Sequence, residues 1–459
     1  MSETQEIKLV GYFKIDDIDN IPGTLFVSKD GDISLELFTS FEIGKDFLDS
    51  NKKDIPIITG QVEKKGYITL IDNFFTSKSI DIGADLNKFT VVSKYAYMGV
   101  VFESNNILLD TFTFDLDGFG EWLGKYTIHT DHSIEDNTLS VQSKLSGDSH
   151  IYSLIEDYSL TFKISHSGNM ADSITNKATI TQNISLQLST QTQKSLQDFI
   201  YISYKLINFF SFAISETLNI QNVRVTNNGL TREIYGKEYP IDIDVIYKST
   251  NISKQNTSFH PHNMLFCFHD IEKTFESKIQ SWFTNYQKIE PTMNLYFAVK
   301  KDTHSYIESK FLFLIQALET YHRRVSNEKY MDDIQFQSLY KSIIKSIPKE
   351  HKEWIEGKLK FGNEISLRTR IKKILEPFND LIGSSKERKS LVGKIVDTRN
   401  YLTHYNEDLK ANAVSGFNLI ELNKKLEGLL ELLLLNELEF SKEEIDNIFK
   451  EIIMKKFKN

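Results

Sequence analysis

The spacing of apolar residues changes along this chain, and the change constrains its fold more than any other feature. In the first part, short runs such as EIKLVGYFKI (6–15) and DISLELF (32–38) alternate apolar and polar residues and are separated by Gly, Asn and Asp. This period of two is typical of half-buried β-strands. From residue 270 onward the apolar residues recur every three or four positions, as in amphipathic helices. The sequence thus predicts an α+β multidomain protein with a β-rich start and a helical end.

Residues 1–165 are predicted to form a β-rich N-terminal domain, because short, regularly spaced strands are typical of an antiparallel sandwich or barrel-like module. Further strand-like runs lie at 23–28, 66–75, 88–102, 109–116 and 158–165. Residues 166–300 combine a helical pattern at 192–216 with strand-like runs at 218–228 and 239–249. We therefore expect a mixed α+β segment that continues the N-terminal module.

Residues 301–459 are predicted to form an all-helical bundle of about five to seven helices. Helical patterns lie at 270–289, 303–326, 332–347, 364–376, 385–405, 414–439 and 441–457. Pro348 ends the third of these, and Ser441 and Glu444 have the spacing of a capping box at the start of the last. No repeat or low-complexity linker marks the domain boundary, so the boundary is placed near 295–303, where the period changes.

Charge is distributed unevenly along the chain. The net charge is −9, yet residues 301–459 hold 28 Lys and Arg against 25 Asp and Glu, which leaves 26 against 38 for residues 1–300. The C-terminal third is therefore near +3 and the remainder near −12. All eight arginines lie beyond residue 220, and the planar arginine fork suits phosphate. An anionic partner such as RNA is thus better tolerated by the C-terminal third.

Several common classes are excluded by composition and patterning. Cys267 is the only cysteine, which excludes disulfide frameworks and cysteine-based zinc sites. The first residues show no basic segment followed by an apolar one, and the most apolar run, at 426–440, is interrupted by Glu431, Glu437 and Glu439. We therefore expect a cytoplasmic protein with no membrane partner. On a strand His129 and Asp131 would share one face, but no third ligand lies nearby, so neither a metal nor another cofactor is expected.

The segment VDTRNYLTHYNED (396–408) places an arginine and a histidine five positions apart in a predicted helix. At about 100° per residue, Asp397, Asn400 and His404 fall on one stripe of that helix, whereas Arg399 lies about 140° from His404. The arginine and the histidine therefore cannot converge on one atom from a single straight helix. A cleft shared with another copy of the chain would bring them together, so this geometry favours a dimer.

The chemistry of Arg399 and His404 suits RNA cleavage without a metal ion, because RNA carries its own nucleophile, the ribose 2′-hydroxyl. Histidine, whose unperturbed pKa is about 6.5, can move a proton to or from the reacting oxygens. A guanidinium can stabilise the added negative charge on phosphorus, and Asn400 can hold the ribose or orient the imidazole. The alternative is that these are ordinary polar residues on the edge of a bundle helix.

Basic residues also surround the predicted helix at 364–376. Arg368 and Lys372 share one of its faces, and Arg370 and Lys373 lie on a neighbouring edge. Two interpretations stay open, a solvated helix face and a track that binds the RNA backbone.

Three segments of the C-terminal third carry a resemblance to a known family. TRNYLTHY (398–405) resembles the Arg-Asn-x(3)-His signature of HEPN ribonucleases, FLFLIQALETYHRR (311–324) resembles the first helix of the ApeA-type HEPN domain, and ISLRTRIKKIL (365–375) resembles its middle helix. In the N-terminal half, LVGYFKIDDIDNIPGTLFVSKDGDISLELF, ITGQVEKKGYITLIDNF and IQSWFTNYQKI resemble the β-rich region that accompanies this domain. The likeness covers nearly the whole chain in the expected order.

The resemblance implies a metal-independent endoribonuclease of bacterial anti-phage defence, with its active site at a homodimer interface of the HEPN domain, and a homodimer or higher homo-oligomer formed through that domain. It implies catalytic roles for Arg399 and His404 and a supporting role for Asn400. Further candidates for supporting or RNA-binding roles, from the resemblance or from their place beside the motif, are Glu319, His322, Arg323, Asp397, Arg368 and Lys372. For the first three the alternative is a charge cluster on a solvated face of one helix, in which Glu319 interacts with the other two.

The implied reaction is transesterification by the 2′-hydroxyl, which leaves a 2′,3′-cyclic phosphate and a 5′-hydroxyl. Cellular RNA is the expected target, with tRNA one candidate, and the N-terminal module is expected to restrain cleavage until a phage-derived trigger acts. Two other classes stay open. One is a non-catalytic protein whose helical domain dimerises or binds RNA while its β domain senses a phage component. The other is a nucleotidyl- or carbohydrate-acting enzyme housed in residues 1–300.

Overall fold

The computed structural model divides the chain by packing into two compact units. It describes residues 7–40, 54–79, 87–144, 150–172, 177–249, 258–301, 306–405 and 407–458. The N-terminal unit comprises Met1–Ile214 with Leu218–Glu276, and the helical unit comprises Ser215–Thr217 with Ser277–Asn459. The boundaries predicted from the sequence differ from the limits of these two units. The boundary at 165/166 lies inside a strand, and residues 277–300, predicted to continue the N-terminal module, belong by packing to the helical unit.

The antiparallel, β-rich character predicted for the N-terminal part is confirmed. The strands of the described residues are β1 (Ile7–Ile15), β2 (Ile18–Val27), β3 (Ile33–Thr39), β4 (Asp54–Val62), β5 (Gly66–Ser79), β6 (Asn87–Met98), β7 (Leu108–Leu116), β8 (Ile128–Ser133), β9 (Thr138–Ser143), β10 (Ile151–Ser153), β11 (Tyr158–Asp172), β12 (Lys177–Ser195), β13 (Ile220–Thr226), β14 (Thr231–Ile234), β15 (Lys237–Pro240) and β16 (Ile243–Tyr247). Twelve of these described strands form one sheet, while β8–β9 and β14–β15 are separate hairpins.

Strand β6 organises the large sheet because it pairs on both of its edges. One edge pairs with β5, from Ile68 opposite Met98 to Ser79 opposite Lys88. The other edge pairs with β3 in its first part and with β16 in its last part. The order β6-β3-β2-β1-β4-β5 therefore closes on itself as a barrel, and the order β16-β13-β7-β12-β11-β10 leads away from it.

The barrel is filled by one face of each strand. In β3, for example, Ile33, Leu35 and Leu37 are at most 1% exposed, whereas the residues between them are half-buried. These side chains join Leu25, Phe89 and their neighbours in one apolar cluster. Complete burial of one such side chain stabilises the fold by about 1.5–3 kcal/mol. The alternation seen in the sequence is thus the alternation between barrel interior and surface.

The second half of the sheet is covered by helices and aromatic side chains. In the described residues of the N-terminal unit, the α-helices are α1 (Phe119–Leu123), α2 (Leu196–Ile214) and α3 (Phe268–Ile271). Phe199 of α2 stacks on Phe112 of β7 with ring centroids 5.9 Å apart, and Trp122 packs edge-on against Phe210. The helix predicted at 192–216 begins later than expected because the residues up to Ser195 extend β12 and pair with β7.

The helical character predicted for the C-terminal part is also confirmed. The helices of this unit in the described residues are α4 (Phe275–Lys301), α5 (Ile307–Val325), α6 (Asp333–Ser346), α7 (Lys352–Leu359), α8 (Leu367–Leu375), α9 (Ser385–His404), α10 (Glu407–Lys410), α11 (Gly416–Glu437), α12 (Lys442–Ile448) and α13 (Met454–Phe457), with a π-helical turn at Phe449–Ile453. The predicted capping box is present, because Ser441 accepts from the Glu444 N–H at 3.2 Å and Glu444 accepts from the Ser441 N–H at 2.7 Å. The π turn interrupts the single helix predicted at 441–457.

Polar contacts explain why α4 packs in the helical unit. The Tyr296 hydroxyl donates to the fully buried Glu431 of α11 at 2.9 Å, and Lys456 donates to the same carboxylate oxygen at 2.5 Å. Lys278, 3% exposed, lies 3.3 Å from Glu444. A buried carboxylate requires such partners, since an unpaired buried charge is costly.

Helix α5 is the centre of the helical unit, and it packs against α8, α9 and α11. Its buried residues Phe311, Leu314, Ile315 and Leu318 follow the three- and four-residue spacing of a single helical face. This packing brings the C-terminal half of α5 beside the end of α9. None of the helices in the described ranges is both long and apolar enough to cross a membrane.

Candidate active site

Helix α9 carries the Arg-Asn-x(3)-His segment in its last turns. A capping box of Ser384 and Glu387 begins the helix. It ends at His404, because Tyr405 adopts a left-handed conformation with φ of 48° and its N–H bonds to the carbonyl of Tyr401. The side chains of Ile395, Thr398 and Leu402 turn into the bundle, and the Thr398 hydroxyl accepts from the N–H of Val414 at 2.9 Å. Arg399 and Asn400 are consequently half-buried at the bundle edge, and His404 is exposed.

Arg399 is held by a carboxylate from another helix. Its Nε lies 3.8 Å from Oε1 of Glu319 in α5, and its Nη1 donates to Oδ1 of Asn400 at 3.4 Å. The two charged side chains are 34% and 21% exposed, so water screens their attraction only in part. The sequence reasoning named all three residues as candidates, and the structure places them together. The alternative interpretation had Glu319 interact with Arg323 along α5. In the structure Glu319 faces α9 and pairs with Arg399 instead.

His404 differs from Arg399 in its surroundings. It is the last residue of α9, and its imidazole is exposed to solvent. It lies five helical steps after Arg399, which places the two residues about 7.5 Å apart along the axis and about 140° apart around it. Within one chain the arginine is therefore fixed at the bundle edge and the histidine is free to meet an incoming molecule. The two do not face a common point on the helix surface.

The other candidates on α5, His322 and Arg323, form a second cluster, in which His322 is buried and Arg323 is exposed. His322 is 5% exposed, and its Nδ1 accepts from Nη1 of Arg370 in α8 at 3.2 Å. Arg323 pairs with Glu364 at 2.5 Å, and Glu364 also lies 3.5 Å from Arg370. Burial and the adjacent Arg370 charge lower the pKa of His322 below its ordinary value. His322 is thus a neutral core histidine, and the interpretation as a solvated face is wrong for this residue.

The same contacts correct the description of α8. Arg370 is 4% exposed, because it turns toward α5, so it does not belong to a surface track. Arg368 and Lys372 are exposed on the other side of the helix. Nη2 of Arg368 lies 3.5 Å from Oδ1 of Asp397, which links α8 to α9 two residues before Arg399. Arg368 and Lys372 remain the basic candidates on the solvent face of α8.

One group of metal-ligand residues occurs in the described part of the chain, and it has a structural role. Ligand atoms of Cys267, His269 and Asp270 lie within 4.8 Å of one another. Asp270, however, accepts from the N–H of Cys267 at 2.7 Å and so closes the capping box of α3. Burial, with the Asp270 charge, raises the pKa of the Cys267 thiol to about 11, so this sulfur is protonated at neutral pH and is a poor ligand or nucleophile.

Comparisons with known proteins place the whole arrangement in a family. Residues 8–282 match the family model of ApeA N-terminal domain 1, and residues 312–444 match that of the Apea-like HEPN domain. A search of curated proteins and a search of solved structures each found no match. The first model alone spans more than half of the chain, and the second includes α8, α9 and most of α5. The resemblance noted from the sequence is thereby confirmed, and the chain belongs to the ApeA family, with an ApeA-like HEPN domain that contains the Arg399–His404 segment.

Proposed function

We propose that this protein is a metal-independent endoribonuclease of anti-phage defence that cleaves cellular RNA, with tRNA one candidate target. Membership of the ApeA family with its HEPN domain supports a nuclease of the HEPN type. The observation that carries the proposal is the contrast between the surroundings of Arg399 and those of His404. Arg399 is held in place by Glu319 and Asn400, and His404 is exposed at the end of the same helix.

The roles follow from the chemistry of each group. His404 accepts a proton from the ribose 2′-hydroxyl or donates one to the leaving 5′-oxygen, and a histidine suits both directions near neutral pH. The guanidinium of Arg399 stabilises the extra negative charge on the pentacoordinate phosphorus. Asn400 accepts from Nη1 of Arg399 and so acts as a positioning residue. The products are a 2′,3′-cyclic phosphate and a 5′-hydroxyl.

We expect a second copy of the chain to complete the active site, because one copy does not bring its own arginine and histidine to the same phosphate. Because Arg399 and His404 lie about 140° apart around one helix, a single α9 presents them to different directions. Two α9 ends facing each other would place the His404 of one copy near the Arg399 of the other, as in a symmetric dimer interface. The N-terminal module then restrains cleavage until a phage-derived trigger acts, since constitutive cutting of cellular RNA would harm the host.

The test is cleavage of RNA by the full-length protein in EDTA, with the RNA ends identified. We expect wild type to produce 2′,3′-cyclic phosphate ends and His404→Ala to lose at least about 100-fold of the cleavage rate, the usual contribution of general acid–base catalysis. His351→Ala, at an exposed histidine preceding α7, is the matched control and keeps full activity.

Toxicity on expression in cells gives a second readout, and His404→Ala should remove it. Full cleavage and full toxicity in a folded His404→Ala protein would exclude the catalytic assignment. They would leave the helical domain as a dimerisation or RNA-binding module.

A further inference from the structure

A pocket of about 420 Å³ opens in the N-terminal unit on the polar face of the sheet that leads away from the barrel. Its floor is formed by neighbouring strands through Ser165, Asn183, Ser185, Asp115, Arg224 and Asp244. The adjacent residues Phe114, Leu186 and Val225 point to the opposite face and are completely buried. The volume lies in the range of about 300–1,000 Å³ that small-molecule sites occupy.

Both carboxylates of this floor are already engaged. The Asp115 oxygens accept from the Ser185 hydroxyl at 2.5 Å and from the Asn222 amide at 2.7 Å. Asp244 lies opposite Arg224 in the β13–β16 pair, yet it bonds to Lys65 at 3.2 Å. The negative charges of the pocket thus have donors, and Lys65 has an acceptor.

Arg224, which also lines the pocket, uses little of its hydrogen-bonding capacity. Its Nη2 reaches the Ser185 hydroxyl only at 3.4 Å. Its Nε is buried and has no hydrogen-bond partner among the described residues. Within the described part of the chain, no carboxylate lies in ion-pair distance of this guanidinium. A buried N–H without an acceptor costs about 1–3 kcal/mol, so a turn of the Arg224 side chain that brings this N–H onto an acceptor in the pocket would recover that free energy.

We propose that this pocket binds a small molecule through a carboxylate or phosphate group held by Arg224. The planar guanidinium fork matches the two oxygens of such a group, and the Nε–H, once the side chain turns it into the pocket, offers one of the two parallel donors. Ile7 and Ile246, which also line the pocket, supply an apolar wall for the remainder of the ligand. The carboxylates of Asp115 and Asp244 favour a small ligand of low negative charge over a polyanion. The proposal is independent of the nuclease assignment, because it concerns only residues of the N-terminal unit.

The test is binding of three probes to the full-length protein by thermal shift and calorimetry at constant ionic strength. The probes are inorganic phosphate, adenosine monophosphate and succinate. We expect at least one to raise the Tm of wild type. Binding of phosphate or the nucleotide alone would identify phosphate as the group recognised, and binding of succinate alone would identify carboxylate.

Three substitutions distinguish recognition by the planar guanidinium of Arg224 from attraction by positive charge alone. Arg224→Met should remove the response, and Arg224→Lys, which keeps the charge but loses the fork, should weaken binding about tenfold. Arg232→Lys is the matched control, because Arg232 is the other arginine of the N-terminal unit and lies exposed on the β14–β15 hairpin. It should bind as wild type does.

The proposal is overturned if none of the probes shifts wild type. It is also overturned if Arg224→Lys binds the responding probe with wild-type affinity, or if sodium chloride reproduces the shift. The lysine variant decides the matter even if Arg224→Met fails to fold, because it retains the charge and most of the side chain.

Discussion

Glu319→Gln is the substitution that most directly tests how the proposed active site is built. It keeps the size of the side chain and an oxygen acceptor, but it removes the negative charge that lies 3.8 Å from Nε of Arg399. At about 4 Å and an effective dielectric constant of 20, the bare attraction is about 4 kcal/mol. Because the side chains are 34% and 21% exposed, solvent screening reduces the contribution to stability to about 1 kcal/mol or less.

The substitution should therefore separate catalysis from folding. We expect the Tm of the protein to fall by less than about 4 °C, since 1 kcal/mol corresponds to about 2–4 °C in a domain of this size. We expect kcat for RNA cleavage to fall about tenfold, the equivalent of about 1.4 kcal/mol in the barrier, because Arg399 samples orientations that do not face the phosphate. The assay is multiple-turnover cleavage of a labelled RNA at saturating concentration, beside thermal denaturation of the same samples.

A matched control exists on α11. Glu421 is 18% exposed and pairs with Lys424 at 2.8 Å, so Glu421→Gln removes a comparable ion pair away from the motif. It should change neither kcat nor the pH profile of cleavage. The reasoning is refuted if Glu319→Gln cleaves at the wild-type rate, or if both variants lose activity in proportion to a loss of folded protein.

Two further predictions concern the same unit. Because burial and Arg370 hold the pKa of His322 below its ordinary value, the unfolded state binds the proton more readily, and the unfolding free energy should fall as pH drops below about 6.5. His322→Asn should reduce that pH dependence in urea titrations, and an unchanged slope would contradict the assignment. Lys372→Ala should raise KM for RNA with little change in kcat. It should also reduce the slope of the logarithm of the binding constant against the logarithm of the salt concentration by about one, the loss of one phosphate contact. Lys358→Ala, at an exposed lysine of α7, is its control, and equal effects of the two would point to general charge.

The type of each element could be predicted from the sequence because it depends on local spacing. The alternation in β3 and the three- and four-residue spacing in α5 each record which side chains face a core. Closure of the barrel could not be predicted in this way. It depends on β6 pairing with strands distant in sequence, and such pairings leave no periodic signal.

The candidate site shows the same limit at the level of single residues. The sequence placed Arg399, Asn400 and His404 on α9, and their positions on the helix follow from 3.6 residues per turn. It could not show that Glu319 reaches Arg399, or that Arg370 turns inward to His322. Both outcomes depend on how α5, α8 and α9 pack. Glu364, which joins two arginines, was not a candidate at all, since a lone glutamate before a helix carries no distinguishing signal.

The shared strand β6 has a consequence for how this protein can be dissected. Its last residues are flanked by β5 on one edge and by β16, residues 243–247, on the other. A fragment that stopped at residue 165 would leave that second edge bare, along with the edge of β7 that β13 covers. Bare edges of this kind recruit other chains and aggregate. A fragment that keeps both edges of β6 paired must therefore extend to the end of β16.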